Sequence, residues 1–386
     1  MSASPVTALP EVAPRPTQRS VNLAIHTAKE WSHIEPQWRA LADSSPYRTF
    51  YLSADWTGAW LETFGELLQP EILLFEERGA CVGACLLIHN REKRGPFHVS
   101  RLYLNTAQSN AAERPMMEFN SVLCRAGWEL KIADSLGAHL QALDWNEFVI
   151  EGMRSGPILD YLQTRALPHL AARVSVVPSY YVDLERLRRS NTPYEKSLSS
   201  NTREQLRRGL RRYSSIGPIE VEVACDFSRA TDLFEEMRQM HQSTWTERGQ
   251  VGALDPQLEF HRTLMKRAFA NGGIHLLRVS AGGQTLGVLY NFIQDRKVYF
   301  FQSGFNYKVA PELQPGLVTH ACAIYHYLEA GYDDYDFLAG DARYKRSLAK
   351  DFRNLAWIVF ARPSVKLTFI DFLRAVRRRM RFRPGN

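Results

Sequence analysis

One hairpin pattern occurs twice in this chain of 386 residues, and it constrains the fold more than any other feature. Residues 71–88 (EILLFEERGACVGACLLI) and 274–293 (IHLLRVSAGGQTLGVLYNFI) each contain two alternating apolar runs around a turn, which predicts a β-hairpin. Gly79 in the first turn lies 204 residues before Gly283 in the second. A pattern that returns at a fixed offset indicates a duplicated fold unit.

Two further matches support the duplication. Gly83 and Gly287 keep the same offset, and residues 143–152 (LDWNEFVIEG) resemble residues 333–341 (DDYDFLAGD) in the same order. In each half, helical patterns precede the hairpin, and strand and helix patterns alternate after it. We therefore predict a mixed α/β fold of two tandem units, each a mixed antiparallel and parallel sheet flanked by helices.

The predicted boundaries follow from these patterns. Residues 1–19 carry four prolines and no apolar core, so we expect a disordered tail and not a signal peptide. The first unit is expected over 20–184, the second over 185–365, and a basic tail over 366–386. No Gly/Ser-rich linker separates the units, so we expect them to pack as one body.

Composition narrows the function classes. No run of 18 apolar residues predicts a membrane span, and five cysteines without zinc-ligand spacing suit core thiols in a reducing compartment, so we expect a cytoplasmic protein. The net charge of +7 is concentrated in arginines at 203–212 and 374–383. Such clusters suit a nucleotide cofactor, a nucleic acid or an anionic membrane, and charge alone leaves these three open.

Two predicted helices carry candidate substrate-binding residues. Arg203 and Arg207 form a stripe on the helix of 201–213, where guanidinium groups can hold phosphates; a solvated helix face is the alternative. His241 and Trp245 lie four residues apart on one face of the next helix, where they can line an acceptor site. The alternative for these two is a half-buried aromatic face.

The segment 297–346 is the most informative in the chain. It reads as strand, loop, helix and strand, and the loop ends in Gln314-Pro315-Gly316. Proline suits the first position of a helix, and glycine lets the backbone approach a ligand. The first-turn N–H groups then form a site for a pyrophosphate, unless this is a plain loop-to-helix start.

Three motifs carry a resemblance to a known family. They are Ser200-Asn201-Thr202-Arg203 at the start of the Arg-rich helix, the Pro-Gly helix start, and the run YDFLAGD at 335–341 followed by Tyr344-Lys345. With the order of hairpin, strand, loop, helix and strand, they resemble the acyl-CoA core of the GNAT superfamily. The chain is most similar to CelD-type acetyltransferases of cellulose or exopolysaccharide clusters and to FemAB/FemX peptidyltransferases, which carry two GNAT-like domains. The resemblance covers most of residues 30–360.

The resemblance implies acetyl-CoA, or another acyl-CoA, as cofactor, with its pyrophosphate on the loop before the helix. The family loop reads Q/R-x-x-G-x-G/A, and this chain departs from it by being one residue short and having a single glycine. The implied cofactor-binding residues are Gln302, Ser303, Gln314, Pro315, Gly316, Leu317 and Val318. The first unit lacks both the Pro-Gly loop and the GDxxYK run, so we expect it to be degenerate.

Acyl transfer from a thioester needs a neutral nucleophile, donors for the oxyanion and a proton for the thiolate. We predict that Asp341 accepts the proton of the acceptor or orients its amine. Lys345 can neutralise charge at the oxyanion or a phosphate, and Tyr344 can protonate the thiolate. The alternative is a structural ion pair of Asp341 with Lys345 or Arg343.

Three functions remain open at this level. The first is an acyl-CoA-dependent N- or O-acyltransferase that acts by direct attack on a small-molecule or carbohydrate acceptor, in a polysaccharide or cell-envelope setting implied by the resemblance. The second is a FemX-like transferase that uses aminoacyl-tRNA, and the third is a non-catalytic module that binds an anionic partner. The segment 369–383 is basic and amphipathic, so it can contact an anionic membrane or dock on the second unit. The sequence determines neither the acceptor nor the oligomeric state.

Overall fold

The computed structural model describes residues 21–107, 115–246, 255–308 and 313–370. The strands are β1 (Asn22–Thr27), β2 (Glu71–Glu77), β3 (Ala80–Arg94), β4 (Phe97–Leu104), β5 (Leu123–Cys124), β6 (Glu147–Arg154), β7 (Ala171–Asp183), β8 (Ile219–Val223), β9 (Ile274–Ala281), β10 (Gln284–Gln294), β11 (Lys297–Phe305), β12 (Asp334–Ala339) and β13 (Asp351–Ala361). The helices are α1 (Trp31–Ser44), α2 (Ala54–Leu68), α3 (Glu129–Ala142), α4 (Pro157–Tyr161), α5 (Leu184–Arg189), α6 (Tyr194–Ser197), α7 (Ser200–Ser214), α8 (Phe227–Thr246), α9 (Leu258–Ala268), α10 (Pro315–Glu329) and α11 (Arg343–Leu348).

The duplicated hairpins predicted from the sequence are β2–β3 and β9–β10, and they match in detail. Gly79 and Gly283 both have φ of +78° in the turns, a conformation that favours glycine. Each hairpin then has a one-residue bulge at the same offset, where Val82 and Leu286 have no partner in the neighbouring strand. The predicted mixed α/β fold with a repeated unit is confirmed.

The two halves exchange their last strands within one sheet. The strand order is β1-β2-β3-β4-β6-β13-β7-β12-β11-β10-β9-β8, with β5 paired to β3. The last strand of the first half, β7, therefore lies beside β12, and the last strand of the second half, β13, lies beside β6. The boundary that we predicted at residue 184 falls just after β7 and remains a prediction, but neither half completes its sheet alone.

Ion pairs cross the exchanged strands in a symmetric way. Arg173 on β7 reaches over β13 and donates to the carboxylate of Glu147 on β6 at 2.5 Å. Arg353 on β13 reaches over β7 and donates to Asp334 at 2.5 Å and Asp336 at 3.0 Å, both on β12. Each arginine thus pairs with an acid of its own half across a strand of the other half.

Helices cover both faces of the sheet. On one face, α1 and α2 from the first half and α8 and α9 from the second share one apolar core, in which the rings of Trp56 and Phe260 lie 5.0 Å apart. On the other face, α3 and α4 cover the first half, whereas α7 and α10 cover the second. Among the described helices, none has both the length and the apolar composition needed to cross a bilayer.

The tails lie largely outside the described residues. The predicted disordered segment 1–19 is wholly outside, and the basic tail is described only as far as residue 370. There Lys366 donates to the carbonyl of His98 at 2.9 Å, and the ring of Phe369 packs edge-on against Phe97 at 5.7 Å. The described start of the tail thus docks on β4 of the first half, and not on the second half as the alternative had it.

Candidate active site

A wedge opens between two parallel strands of the second half. β11 and β12 pair only from Lys297 with Asp334 to Tyr299 with Asp336, and then diverge. A bulge at Phe301 bends β11, and a second bulge before Ala339 bends β12. Residues 300–303, 305 and 337–339 line a cavity of about 850 Å³ in the wedge. This volume lies in the range of small-molecule and cofactor sites.

The backbone of the bulge in β12 is strained, and two buried charged groups hold it in place through hydrogen bonds. Leu338 has φ of +62°, which costs on the order of 1–3 kcal/mol for a residue other than glycine. The carboxylate of Asp336 accepts the N–H of Leu338 at 2.8 Å, and the ammonium of Lys345 donates to the carbonyls of Leu338 and Ala339 at 2.9 and 2.6 Å. Because the strand end is held on both sides, its groups keep a defined position in the cavity wall.

Glu118 enters the cavity from the first half. Its side chain is only 3% exposed, and one carboxylate oxygen accepts the N–H of Ala339 at 2.6 Å. Burial raises the pKa of Glu118 to about 7, although this hydrogen bond and the charge of Lys345 act in the opposite direction. Burial also lowers the pKa of Lys345, against the attraction of Glu118. A carboxyl group that titrates near neutral pH in a cavity suits a general base.

Tyr51 is a second residue of the first half that lines the cavity. It is fully buried, it lines the cavity, and among the described residues its hydroxyl has no hydrogen-bond partner. Burial raises its pKa well above the usual value, and the nearby charge of Glu118 adds to this. A buried hydroxyl without a partner costs about 1–3 kcal/mol, so the position favours contact with a bound ligand.

The start of α10 also lines the cavity. Gln314 has φ of +50° and precedes Pro315 at the first helical position. Gln314, Gly316 and Leu317 line the cavity, as do Gln302 and Ser303 on β11. A Cβ at Gly316 would lie 3.1 Å from the ring of Phe305, so a larger residue here would press on this ring in the cavity wall.

Two predicted cofactor-binding residues face elsewhere. Pro315 and Val318 are buried and do not line the cavity. Val318 packs under α7, where a Cβ at Gly209 would lie 2.8 Å from its methyl group. These two side chains pack inside the fold, because α7 covers the start of α10.

The histidine predicted on α8 does line the cavity. His241 is buried, and its Nδ1 lies 3.1 Å from the carbonyl of Ser303. Because a carbonyl only accepts, Nδ1 carries the proton in this contact. The side chain of Trp245, which we predicted beside it, lies outside the described residues.

The arginine stripe of α7 does not enter the cavity. The part of the cavity wall that α7 contributes is formed by Asn201, Thr202 and Gln205 instead. Arg203 donates to the carbonyls of residues 195 and 198 at 3.0 and 3.1 Å, and Arg207 is exposed. Substrate binding by Arg203 and Arg207 stays a prediction, and the side of α7 that carries them does not line the cavity.

The three predicted catalytic residues do not all lie in the cavity. Tyr344 and Lys345 line the cavity, and the ring of Tyr344 stacks on buried His320 at 5.9 Å. Asp341 is exposed and outside it: its carboxylate pairs with Arg346 and accepts the hydroxyl of Tyr180 at 3.0 Å, and these contacts lower its pKa. The chain leaves β12 at Gly340, so Asp341 already lies on the outer surface. The geometry favours the structural ion pair, with Arg346 as the partner.

The corresponding wedge of the first half is filled. β4 and β6 also pair over only three residues, from Arg101 with Glu147 to Tyr103 with Val149. Asn120 bridges the diverging strands, because its amide donates to the carbonyl of residue 104 and its N–H to that of residue 152, both at 3.0 Å. The segment 117–122 thus occupies this wedge, and the same segment carries Glu118 into the open one.

Comparisons with known proteins agree with this geometry. The acetyltransferase (GNAT) domain family matches residues 200–346. Among solved structures, the chain is similar to FemX (11% identity, 84% of this chain and 95% of that one, TM-score 0.55). It is also similar to the C-terminal DUF2156 domain of a protein assigned as a lysylphosphatidylglycerol synthetase from Agrobacterium fabrum (10%, 90% and 96%, TM-score 0.52) and to L-PGS from Bacillus licheniformis (11%, 88% and 96%, TM-score 0.50).

We find no match among curated protein sequences. The identities to solved structures are low, so they show the fold alone, whereas the domain match covers α7, α10, β11 and β12, which line part of the cavity. Residues 200–346 therefore form an acetyltransferase (GNAT) domain within a FemX-like fold, and this domain supports an acyltransferase.

Proposed function

We propose that the protein transfers an acyl group, most simply acetyl, from an acyl-CoA to an amine or hydroxyl acceptor by direct attack on the thioester. The observation that carries the proposal is the open wedge between β11 and β12. The Pro-Gly start of α10 lines this cavity, and so do the buried charged groups of Glu118 and Lys345.

The start of α10 would bind the pyrophosphate of the acyl donor. Backbone N–H groups in a first helical turn attract phosphate oxygens, and the small surface of Gly316 permits close approach. Gln314 would contact the same group, and Gln302 and Ser303 would line the path of the acyl chain toward Glu118. The cofactor thus fits the residues that line this wall.

The chemistry follows from the two buried charged groups. Glu118, with a pKa near 7, would take the proton of the acceptor as it attacks the thioester carbon. Lys345 would stabilise the oxyanion as it forms. Tyr344 would return a proton to the departing thiolate. In this scheme Glu118 takes the role that the sequence analysis gave to Asp341.

The test is a calorimetric titration with acetyl-CoA and with free CoA. We expect micromolar binding that is lost in Gly316→Leu, whose side chain would enter the cavity beside Phe305. Gly156→Leu is the matched control, because it lies at the start of α4 and a Cβ there meets nothing within 4 Å. Equal binding by Gly316→Leu and the control, with both folded by thermal melting, would contradict the proposed donor site.

An aminoacyl donor is the second candidate. It is favoured by the fold similarity to FemX and L-PGS and by the exposed arginines of α7, which include Arg207, Arg208 and Arg211 next to the cavity wall. A tRNA donor predicts tight, steeply salt-dependent RNA binding. Thermal stabilisation by CoA and not by tRNA would exclude it. The CelD-like setting, with a polysaccharide or cell-envelope acceptor, and a cytoplasmic location remain part of the first proposal.

A further inference from the structure

We infer that a small basic pocket beside the acyl-transfer cavity binds a phosphate group of one of the substrates. The inference deepens the proposed function, on which it rests for treating the ligand as a substrate of the same site. The pocket has a volume of about 200 Å³ and lies between the start of α7, α11 and Lys350. Thr202, Arg343 and Ser347 line both the pocket and the cavity, so a single ligand can occupy the two together.

The charges of the pocket are all positive. Among the described residues, Arg343, Arg346 and Lys350 line it, and no carboxylate does. Arg346 pairs with Asp341, but among the described residues Arg343 and Lys350 have no ion-pair partner. Arg343 and Lys350, which lie in a concave site without a compensating acid, repel each other and attract an anion of more than one charge. A phosphate monoester carries about two charges near neutral pH.

Hydroxyl groups complete the lining. The hydroxyls of Ser199 and Thr202 lie 2.9 Å apart, so one donates to the other and one proton remains for a ligand. Ser199 also accepts the N–H of Thr202 at 3.2 Å, which holds the pair in place. A planar guanidinium, an ammonium and a hydroxyl donor around one small space match the several acceptor oxygens of a phosphate.

Two sources can supply this phosphate. It can belong to the acyl donor, as the 3′-phosphate of CoA, or to the acceptor. The pocket adjoins the cavity through the start of α7 and through α11, which also carries Tyr344 and Lys345, and no residue of the Pro-Gly start of α10 lines it among those described. It is therefore a second anion site, separate from the one proposed for the pyrophosphate.

The test compares wild type with the double variant Arg343→Gln/Lys350→Gln, using inorganic phosphate, CoA and 3′-dephospho-CoA as probes. Arg212→Gln is the matched control, because this arginine is exposed on α7 and does not line the pocket. We expect at least about tenfold weaker phosphate binding in the double variant and unchanged binding in the control. Thermal melting checks that all variants are folded.

The three probes distinguish a phosphate of the acyl donor from a phosphate of the acceptor. If the phosphate is the donor's, wild type binds CoA more tightly than 3′-dephospho-CoA, and the double variant abolishes that difference. If it is the acceptor's, the two donors bind equally and inorganic phosphate still binds beside saturating CoA. Phosphate binding that is absent in wild type, or equal in wild type and the double variant, overturns the inference. A loss of phosphate binding in the double variant, with no CoA binding in any protein, would contradict the proposed donor and leave the pocket established.

Discussion

At the scale of single residues, the cavity depends on groups that the fold keeps in unfavourable surroundings. Glu118 is buried with a pKa near 7, and Tyr51 keeps a hydroxyl without a partner among the described residues. Each feature costs stability in the absence of ligand, and such costs concentrate at functional sites. Both residues come from the first half, although the domain match lies in the second. The first half therefore contributes residues to the cavity as well as strands to the sheet.

Glu118→Gln should abolish most turnover, with kcat/KM reduced by about 10²–10⁴-fold, because glutamine cannot take the acceptor's proton. In wild type, kcat/KM should rise with pH through an apparent pKa near 7. The matched control is Asp341→Asn, which removes an exposed carboxylate outside the cavity and should leave kcat/KM within about twofold. Loss of activity in the control alone would return the catalytic role to Asp341.

The same variant should change the pH dependence of stability. The pKa of Glu118 is about 7 when folded and about 4.3 when unfolded, so the folded state binds the proton more tightly. The stability this proton contributes is fully present at low pH and is lost as the pH rises through 7. The stability of Glu118→Gln relative to wild type should therefore increase between pH 5 and pH 8, by on the order of 1–3 kcal/mol. A difference in urea-unfolding free energy that does not change with pH would show that the carboxyl titrates normally.

Tyr51→Phe should stabilise the free protein and impair catalysis. Removing a buried hydroxyl that lacks a partner should add about 1 kcal/mol, measured as a higher Tm, while kcat/KM falls because the ligand loses a contact. Tyr290→Phe is the control, because its hydroxyl is also buried without a partner among the described residues but does not line the cavity. It should raise Tm alone. Equal activity in the two variants would remove Tyr51 from the site.

At the scale of elements, the duplicated hairpins differ in what packs against them. The bulge in each brings a glycine under the helix that covers its sheet. A Cβ at Gly287 would lie 2.7 Å from the ring of Phe305 and 2.8 Å from Thr319 on α10, whereas a Cβ at Gly83 would meet Ile132 on α3. The hairpin of the second half thus helps to set the position of the helix start at the donor end.

Gly287→Ala and Gly83→Ala should both destabilise the protein by about 1–3 kcal/mol, because neither site has room for a methyl group. Only Gly287→Ala should also weaken acyl-CoA binding, since it displaces Phe305 and α10 beside Gly316. Calorimetric titration and thermal melting of the two variants provide the comparison. Equal binding by both would show that α10 moves independently of the hairpin.

At the scale of the whole molecule, the strand exchange makes the halves interdependent. β13 of the second half separates β6 from β7, and β7 separates β13 from β12. Removing either half leaves a buried strand edge exposed and breaks the sheet at its centre. The ion pairs of Arg173 and Arg353 across the exchanged strands add to this coupling, because each passes over a strand of the other half.

The intact chain should therefore unfold in one calorimetric transition, and fragments 1–184 and 185–386 should not fold when made separately. Refolding the two fragments together should restore the transition, because each supplies the strand that the other lacks. Scanning calorimetry and circular dichroism measure both outcomes. A cooperative transition in fragment 1–184 alone would contradict the interdependence.

Local features of the sequence predicted much of this protein. The hairpin offset, the helix start at Pro315 and the alternation of strands and helices depend on neighbouring residues, whose periodicity and turn preferences are visible in one chain. These features led to the repeated α/β unit, to the GNAT domain and to five predicted cofactor-binding residues that line the cavity, Gln302, Ser303, Gln314, Gly316 and Leu317. They also led to Tyr344, Lys345 and His241 in its wall.

The tertiary structure alone decided what the two halves share. Glu118 lies in a segment without periodic pattern, and it reaches the cavity only because that segment fills the wedge of the first half. The exchange of β7 and β13 leaves no local signal, since both read as ordinary strands. The sequence also did not show which side of α7 faces the cavity, because helical periodicity identifies a polar face but not the part of the protein that lies against it. Sequence patterns report contacts within an element, whereas the active site is assembled from elements more than two hundred residues apart.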